Sequence, residues 1–133
     1  MFLPNHPLPG PSNRSIAVRM HSTPLIDHAQ LEAVDGASRE RPVLIFKHST
    51  RCSISSAALN RLEKGWSTAD DALHTVFFLD LIRYRSLSNA IAARYGVEHE
   101  SPQVLVIRNG QCVYTVSHLG ITYADTVSAL GAA

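Results

Sequence analysis

Between Pro42 and Leu62 the apolar period of the chain changes, and a single cysteine stands at the change. Val43, Leu44, Ile45 and Phe46 form a short unbroken apolar run rich in β-branched and aromatic side chains, the pattern of a strand buried on both faces. A polar turn follows, Lys47-His48-Ser49-Thr50-Arg51, and then Cys52. After Ser53, the residues Ile54, Ala58 and Leu62 recur every four positions, which predicts a helix with one apolar stripe. Cys52 therefore lies between the end of a buried strand and the first turn of a helix. Unpaired backbone N–H groups and the positive end of the helix dipole favour a thiolate in that place. The thiolate is the nucleophilic form of cysteine, so position alone makes Cys52 a candidate for thiol chemistry.

Cysteine more often serves as a small buried hydrophobe. The flanks of Cys52 argue against that use here. Lys47, His48 and Arg51 lie within five residues upstream, and Ser53 and Ser55 follow. Apolar pockets are not built from such residues. Reactivity is the better reading.

The remaining chain bounds the setting. At 133 residues it is one domain by length, large enough for a real core. A formal net charge of +1 and no long basic run leave no footprint for nucleic acid. Two cysteines cannot build a disulfide framework, and their placement fits a reducing compartment. No apolar stretch reaches the length of a membrane span, and prolines interrupt the first residues too often for a signal peptide. The expectation is a cytoplasmic protein with no membrane partner. Residues 1–22 hold four of the seven prolines and no periodic face, which predicts a disordered tail or extension. The folded domain is expected over 23–133, or from a start near Met20.

From Ile26 a short helix is predicted, capped by Asp27 with Gln30 in the capping-box position and Ile26 stapled to Leu31; Gly36 and Arg39-Glu40-Arg41 then lead into the first core strand. The helix after Cys52 is expected to close on Gly65 as a left-handed cap, with Trp66 packing back on the core. Val76 to Leu79 read as a second buried strand, so one helix joins two strands in a βαβ unit. Ser86 or Ser88 starts the next helix and Gly96 ends it. Gln103 to Arg108 form a third strand, and Asn109-Gly110 turns the chain into an antiparallel fourth, Gln111 to Val116. Thr122 and Asp125 cap a last helix.

Strand, polar turn, Cys-x-x-Ser and helix resemble a thioredoxin-like active site whose second cysteine is serine. The longer string FKHSTRCSIS is similar to the motif of the monothiol bacilliredoxins of the bacillithiol system, close to FKHSTRCPIS, with Ser53 where proline is frequent. The likeness extends through SPQVLVIRNG and SHLGI and covers roughly residues 24–130. It implies an α/β, thioredoxin-like fold with a four-stranded mixed sheet of order second, first, third, fourth, flanked by helices on both faces. In that arrangement Ser101-Pro102 and Ser117-His118-Leu119-Gly120 arrive at the same sheet end as Cys52. The fourth strand carries Cys112 at the opposite end, about 17–20 Å away, well beyond the ~7 Å a disulfide allows.

The resemblance also implies chemistry. Cys52 is the expected nucleophile of a monothiol thiol–disulfide oxidoreductase that removes bacillithiol from client proteins. No cofactor is bound; bacillithiol is the thiol co-substrate, and bacillithiolated clients and free bacillithiol are the partners. Ser55 cannot close a disulfide; it either donates a hydrogen bond to the thiolate or is an ordinary first-turn serine. Pro102 is expected to be cis, exposing the backbone of Ser101 to an extended substrate. Lys47, His48 and Arg51 are expected to make an electropositive rim for the malate carboxylates of bacillithiol, or else to be solvated turn residues. His118 and the helix entrance at Thr122 are further binding candidates. No metal ligand set is read, since Cys52, His48 and His118 lack paired spacing. Two other readings are open: an iron–sulfur or metal carrier of the monothiol-glutaredoxin type, and a non-catalytic stress protein of the same fold.

Overall fold

The computed structural model describes residues 20–131. Most of the proline-rich segment read above as a tail, residues 1–19, lies outside the described residues. The elements are β1 (Thr23–Pro24), α1 (Gln30–Glu40), β2 (Val43–His48), α2 (Ser53–Gly65), α3 (Thr68–Leu73), β3 (Thr75–Asp80), α4 (Arg85–Tyr95), β4 (Gln103–Arg108), β5 (Gln111–Ser117), a 3-10 turn (His118–Gly120) and α5 (Tyr123–Gly131).

The sheet runs β1-β3-β2-β4-β5. β1 and β2 flank β3 in parallel, and β4 and β5 are antiparallel to their neighbours. The expected order of the four core strands is therefore present as β3-β2-β4-β5, but the sheet has five strands, not four. The added edge strand is two residues long and contains a proline, so it has no period to read. Tertiary contact makes it: Thr23 and Pro24 align with Phe77 and Phe78, and the Leu25 N–H donates to the Phe78 carbonyl at 2.8 Å. Upstream, Met20 is buried in the core and its N–H donates to the Glu63 carboxylate at 3.1 Å.

Alternation along each strand divides the core in two. Leu44, Phe46, Val76, Phe78, Val104 and Val106 face α2 and α5 through Ala58, Leu62, Trp66, Ile121 and Leu130. Val43, Ile45, Phe77, Leu79, Leu105 and Ile107 face α1 and α4 through Leu31, Val34, Leu87 and Ile91. Full burial of β2 on both faces is why its sequence reads as an unbroken apolar run.

Several local expectations change. Gln30 does reach back, accepting from the N–H groups of Ile26 and Asp27, while Ile26 is exposed. α1 passes through Gly36 and ends at Glu40. Two helices, not one, connect β2 to β3; α3 starts from a full capping box between Ser67 and Asp70. Gly65 is not a left-handed cap. It is glycine because a Cβ there would overlap the ring of Tyr123 on α5. Neither Ser86 nor Ser88 caps α4, which starts at Arg85 after Tyr84 without a side-chain cap. Gly96 does close α4 at φ +64°, and Asn109 and Gly110 both take positive φ in the β4–β5 hairpin.

Candidate active site

The carboxyl end of β2 is level with the amino end of β4, since Lys47 aligns with Gln103, and with the carboxyl end of β5, since Gln103 aligns with Ser117. Three separated pieces of sequence therefore meet at one rim of the sheet. They are the turn 49–52, the Ser101-Pro102 pair and the turn 118–120. The His118 N–H donates to the Pro102 carbonyl at 3.1 Å, which joins two of them directly. Arg61, farther along α2, ties that helix to the turn 118–120, donating to the carbonyls of His118 at 3.0 Å and Ile121 at 3.2 Å.

Cys52 is the N-cap residue of α2, in extended conformation, and is partly exposed. Its N–H donates to the Ser49 carbonyl and its own carbonyl accepts from Ser56, so the backbone is held in the turn. Ser101-Pro102 is a cis peptide. The hydroxyl of Ser101 is buried and is the one such side-chain atom without a hydrogen-bond partner among the described residues. An unpaired buried hydroxyl costs about 1–3 kcal/mol, so it stands out in a site otherwise fully bonded.

Ser55 lies in the first turn of α2, the plainer of its two expected roles, and its hydroxyl bonds to the end of β2. It is fully buried; its Oγ accepts the Ser49 N–H at 3.0 Å and lies 2.7 Å from His48 Nδ1. It pins the first turn of α2 to the end of β2. His48 is buried against Phe46 and Phe78, and burial lowers its pKa, with Asp80 opposing. When Nδ1 is the unprotonated nitrogen, the Ser55 proton goes to it and the hydroxyl has no proton left for the thiol.

The expected electropositive rim is mostly absent. Arg51 is exposed, as a solvated rim cation should be. Lys47 is completely buried and points to the other face of the sheet, where its Nζ lies 3.3 Å from the Ser88 carbonyl and 3.4 Å from His99 Nδ1. Desolvation lowers its pKa to about 8. The physical reason is alternation: position 47 shares a face with Val43 and Ile45, not with the turn. His118 stays at the rim at φ 55°, its Nδ1 3.9 Å from a Glu100 carboxylate oxygen. Thr122 caps α5 through its hydroxyl, which accepts from the Asp125 N–H at 3.2 Å.

Cys112 sits at the far end of the sheet. It aligns with Ile107, which aligns with Val43, the first residue of β2. Burial pushes its thiol pKa up. Sequence reasoning missed Arg61, Ser88 and His99; none has a spacing that marks it, and each acquires a role only when the loops meet.

A family model described as monothiol bacilliredoxin BrxC matches residues 23–126. The chain belongs to this family. Among solved structures, it is similar to one described as a candidate oxidoreductase with a thioredoxin fold, at 29% identity over 81% of this chain and 92% of that one, with a TM-score of 0.69. It also resembles a thioredoxin of Malassezia sympodialis, 16% identical over 86% of this chain and 92% of that one, at a TM-score of 0.62. Thioredoxin f from spinach chloroplast is 17% identical over 87% and 96% respectively, also at 0.62. The last two show the fold alone. Bacilliredoxin membership and the thioredoxin fold together support a redox function.

Proposed function

We propose that the chain is a monothiol thiol–disulfide oxidoreductase that removes bacillithiol from mixed disulfides on client proteins. The observation that carries this reading is an accessible Cys52 at the start of α2, opposite a cis Pro102, with a buried serine where a second thiol would stand. Cys52 thiolate attacks the bacillithiol sulfur. The client sulfur leaves with the electron pair of the broken S–S bond and takes a proton from solvent. Cys52 then carries bacillithiol as a mixed disulfide. Ser55 cannot expel it, so a second bacillithiol thiolate attacks the bound bacillithiol sulfur, releasing bacillithiol disulfide and Cys52 thiolate. The backbone of Ser101 offers an edge to an extended client. Exposed Arg51 is the turn cation that remains for the carboxylates of bacillithiol.

Intact-mass analysis tests the route. Reduced protein mixed with a bacillithiolated client is expected to gain one bacillithiol on Cys52 and to hold it until free bacillithiol is added. Cys52→Ser abolishes the transfer, and a glutathionylated client reacts more slowly. Equal rates with both adducts would remove the bacillithiol preference and leave the monothiol route standing. No adduct from either would overturn the oxidoreductase reading and send attention to the metal-carrier alternative. Among the described residues no group of three or more His, Cys, Asp or Glu side chains is placed to hold a metal, so a carrier would need ligands from beyond them.

A further inference from the structure

The loop from Val97 to Pro102 presents the cis peptide to the rim, yet it belongs to no helix or strand. Its fixation comes from below. Gln103 donates to the Glu98 carbonyl at 3.0 Å and accepts from the Glu100 N–H at 3.4 Å. His99 turns inward, and its Nδ1 lies 3.4 Å from Lys47 Nζ and 3.2 Å from Ser88 Oγ. Lys47 is fully buried, and its contacts are a carbonyl and an imidazole rather than a carboxylate. A buried ammonium without a carboxylate is costly, so a loop that uses one has a reason to be sought.

We infer that Lys47 and His99 are a positioning pair: the Lys47 ammonium donates to an unprotonated His99 Nδ1 and so fixes the Val97–Pro102 loop, and the edge beside the cis proline, for the disulfide substrate. The inference rests on the thiol–disulfide reading for its kinetic arm only. The pair works in one protonation state, since a protonated Nδ1 would turn a donor toward a donor. Burial, Lys47 and Arg85 of α4 lower the pKa of His99, while Glu100 in its own loop raises it; Glu100 in turn faces His118. At neutral pH the working state is therefore favoured. Below the lowered His99 value both partners are cations, the bond from Lys47 is lost, and the contact to Ser88 Oγ alone holds His99, so the loop is loosened.

The test uses the full chain, with a synthetic bacillithiol–peptide mixed disulfide as substrate, iodoacetamide as a probe of Cys52, and amide hydrogen exchange of residues 97–101. In the wild type, exchange corrected for its intrinsic pH dependence is expected to be about tenfold faster near pH 5 than near pH 7.5, the equivalent of one lost charge-assisted hydrogen bond. His99→Phe removes the acceptor. It is expected to raise exchange at both pH values and to raise KM about tenfold, with kcat and iodoacetamide alkylation little changed. His99→Gln keeps an acceptor for Lys47 that cannot be protonated, so it restores KM and protects the loop at both pH values. Loop exchange in the wild type that ignores pH overturns the pair without any variant. So does a His99→Gln chain that behaves like His99→Phe. If the wild type transfers no thiol at all, the proposed function fails while the exchange arms still decide the pair.

Discussion

Ser55 shows how a residue chosen for its chemistry can turn out to hold the scaffold. At the position of a resolving thiol, its hydroxyl links the Ser49 amide and the His48 ring inside the protein. Ser55→Ala leaves both buried groups unpaired, so unfolding in urea is expected to show a loss of about 1–3 kcal/mol. Single-turnover capture of bacillithiol by Cys52 is expected to persist, because no contact from Ser55 to the thiol is lost. A fully stable Ser55→Ala protein would mean that water or a neighbour replaces the hydroxyl at no cost. Lys47 makes the same point from the other direction. A lysine beside a candidate nucleophile suggests a rim cation, but one step of strand alternation sends it to the opposite face of the sheet.

Among the elements, the two glycines that close helices do so for different reasons, and substitution separates them. Gly96 adopts φ +64° with open space where a Cβ would go, so Gly96→Ala carries only the left-handed penalty of about 1–2 kcal/mol. Gly65 has ordinary backbone angles, but its missing Cβ makes room for the Tyr123 ring. Tyr123 cannot simply swing away, because its hydroxyl donates to the buried Asp70 carboxylate at 2.7 Å and its ring meets Trp66 edge-on. Gly65→Ala is therefore expected to cost about 1–3 kcal/mol through overpacking, and Gly65→Ala with Tyr123→Ala less than the sum of the two single changes. Additive losses in a urea double-mutant cycle would show that the two positions do not touch. Asp70 ties this corner together: it completes the α3 capping box and accepts from Tyr123.

For the whole molecule, buried Lys47 sets an alkaline signature. Its pKa falls from the ordinary 10.5 to about 8 in the folded state. Between those values the unfolded chain holds more of that proton, so stability contributed by this group rises with pH. The penalty is full below about pH 8, on the order of 3 kcal/mol, and is relieved by about pH 10. Lys47→Met removes the penalty. The expected result is that wild type gains on Lys47→Met in urea unfolding between about pH 8 and about pH 10, with the gap level from about pH 8 down to about pH 7. Parallel stability curves would show that the amine is not desolvated. Tyr95 works against the gain at the top of this range: burial and its 2.6 Å bond to Asp35 raise its pKa, so the stability it contributes is full below the ordinary phenol value of 10.0 and falls as pH rises above it.

Much of this was legible in local sequence, because local sequence encodes period and turn chemistry. The unbroken run Val43–Phe46, the four-residue stripe behind Cys52 and the Asn109-Gly110 turn each specify their own structure with few partners. Three spaced blocks then sufficed to identify the family and the rim on which Cys52 stands. What tertiary structure alone decided were matters of facing and of length too short to carry a period. β1 exists because Phe77 and Phe78 offer it an edge, and Gly65 is glycine because Tyr123 lies over it. Ser55 meets His48 because the end of β2 folds back under α2. His99 acquires its meaning only when the loop before Pro102 closes over a lysine that the strand has turned inward. A side chain's neighbours across the sheet are set by packing between distant segments, and no pattern of adjacent residues records them.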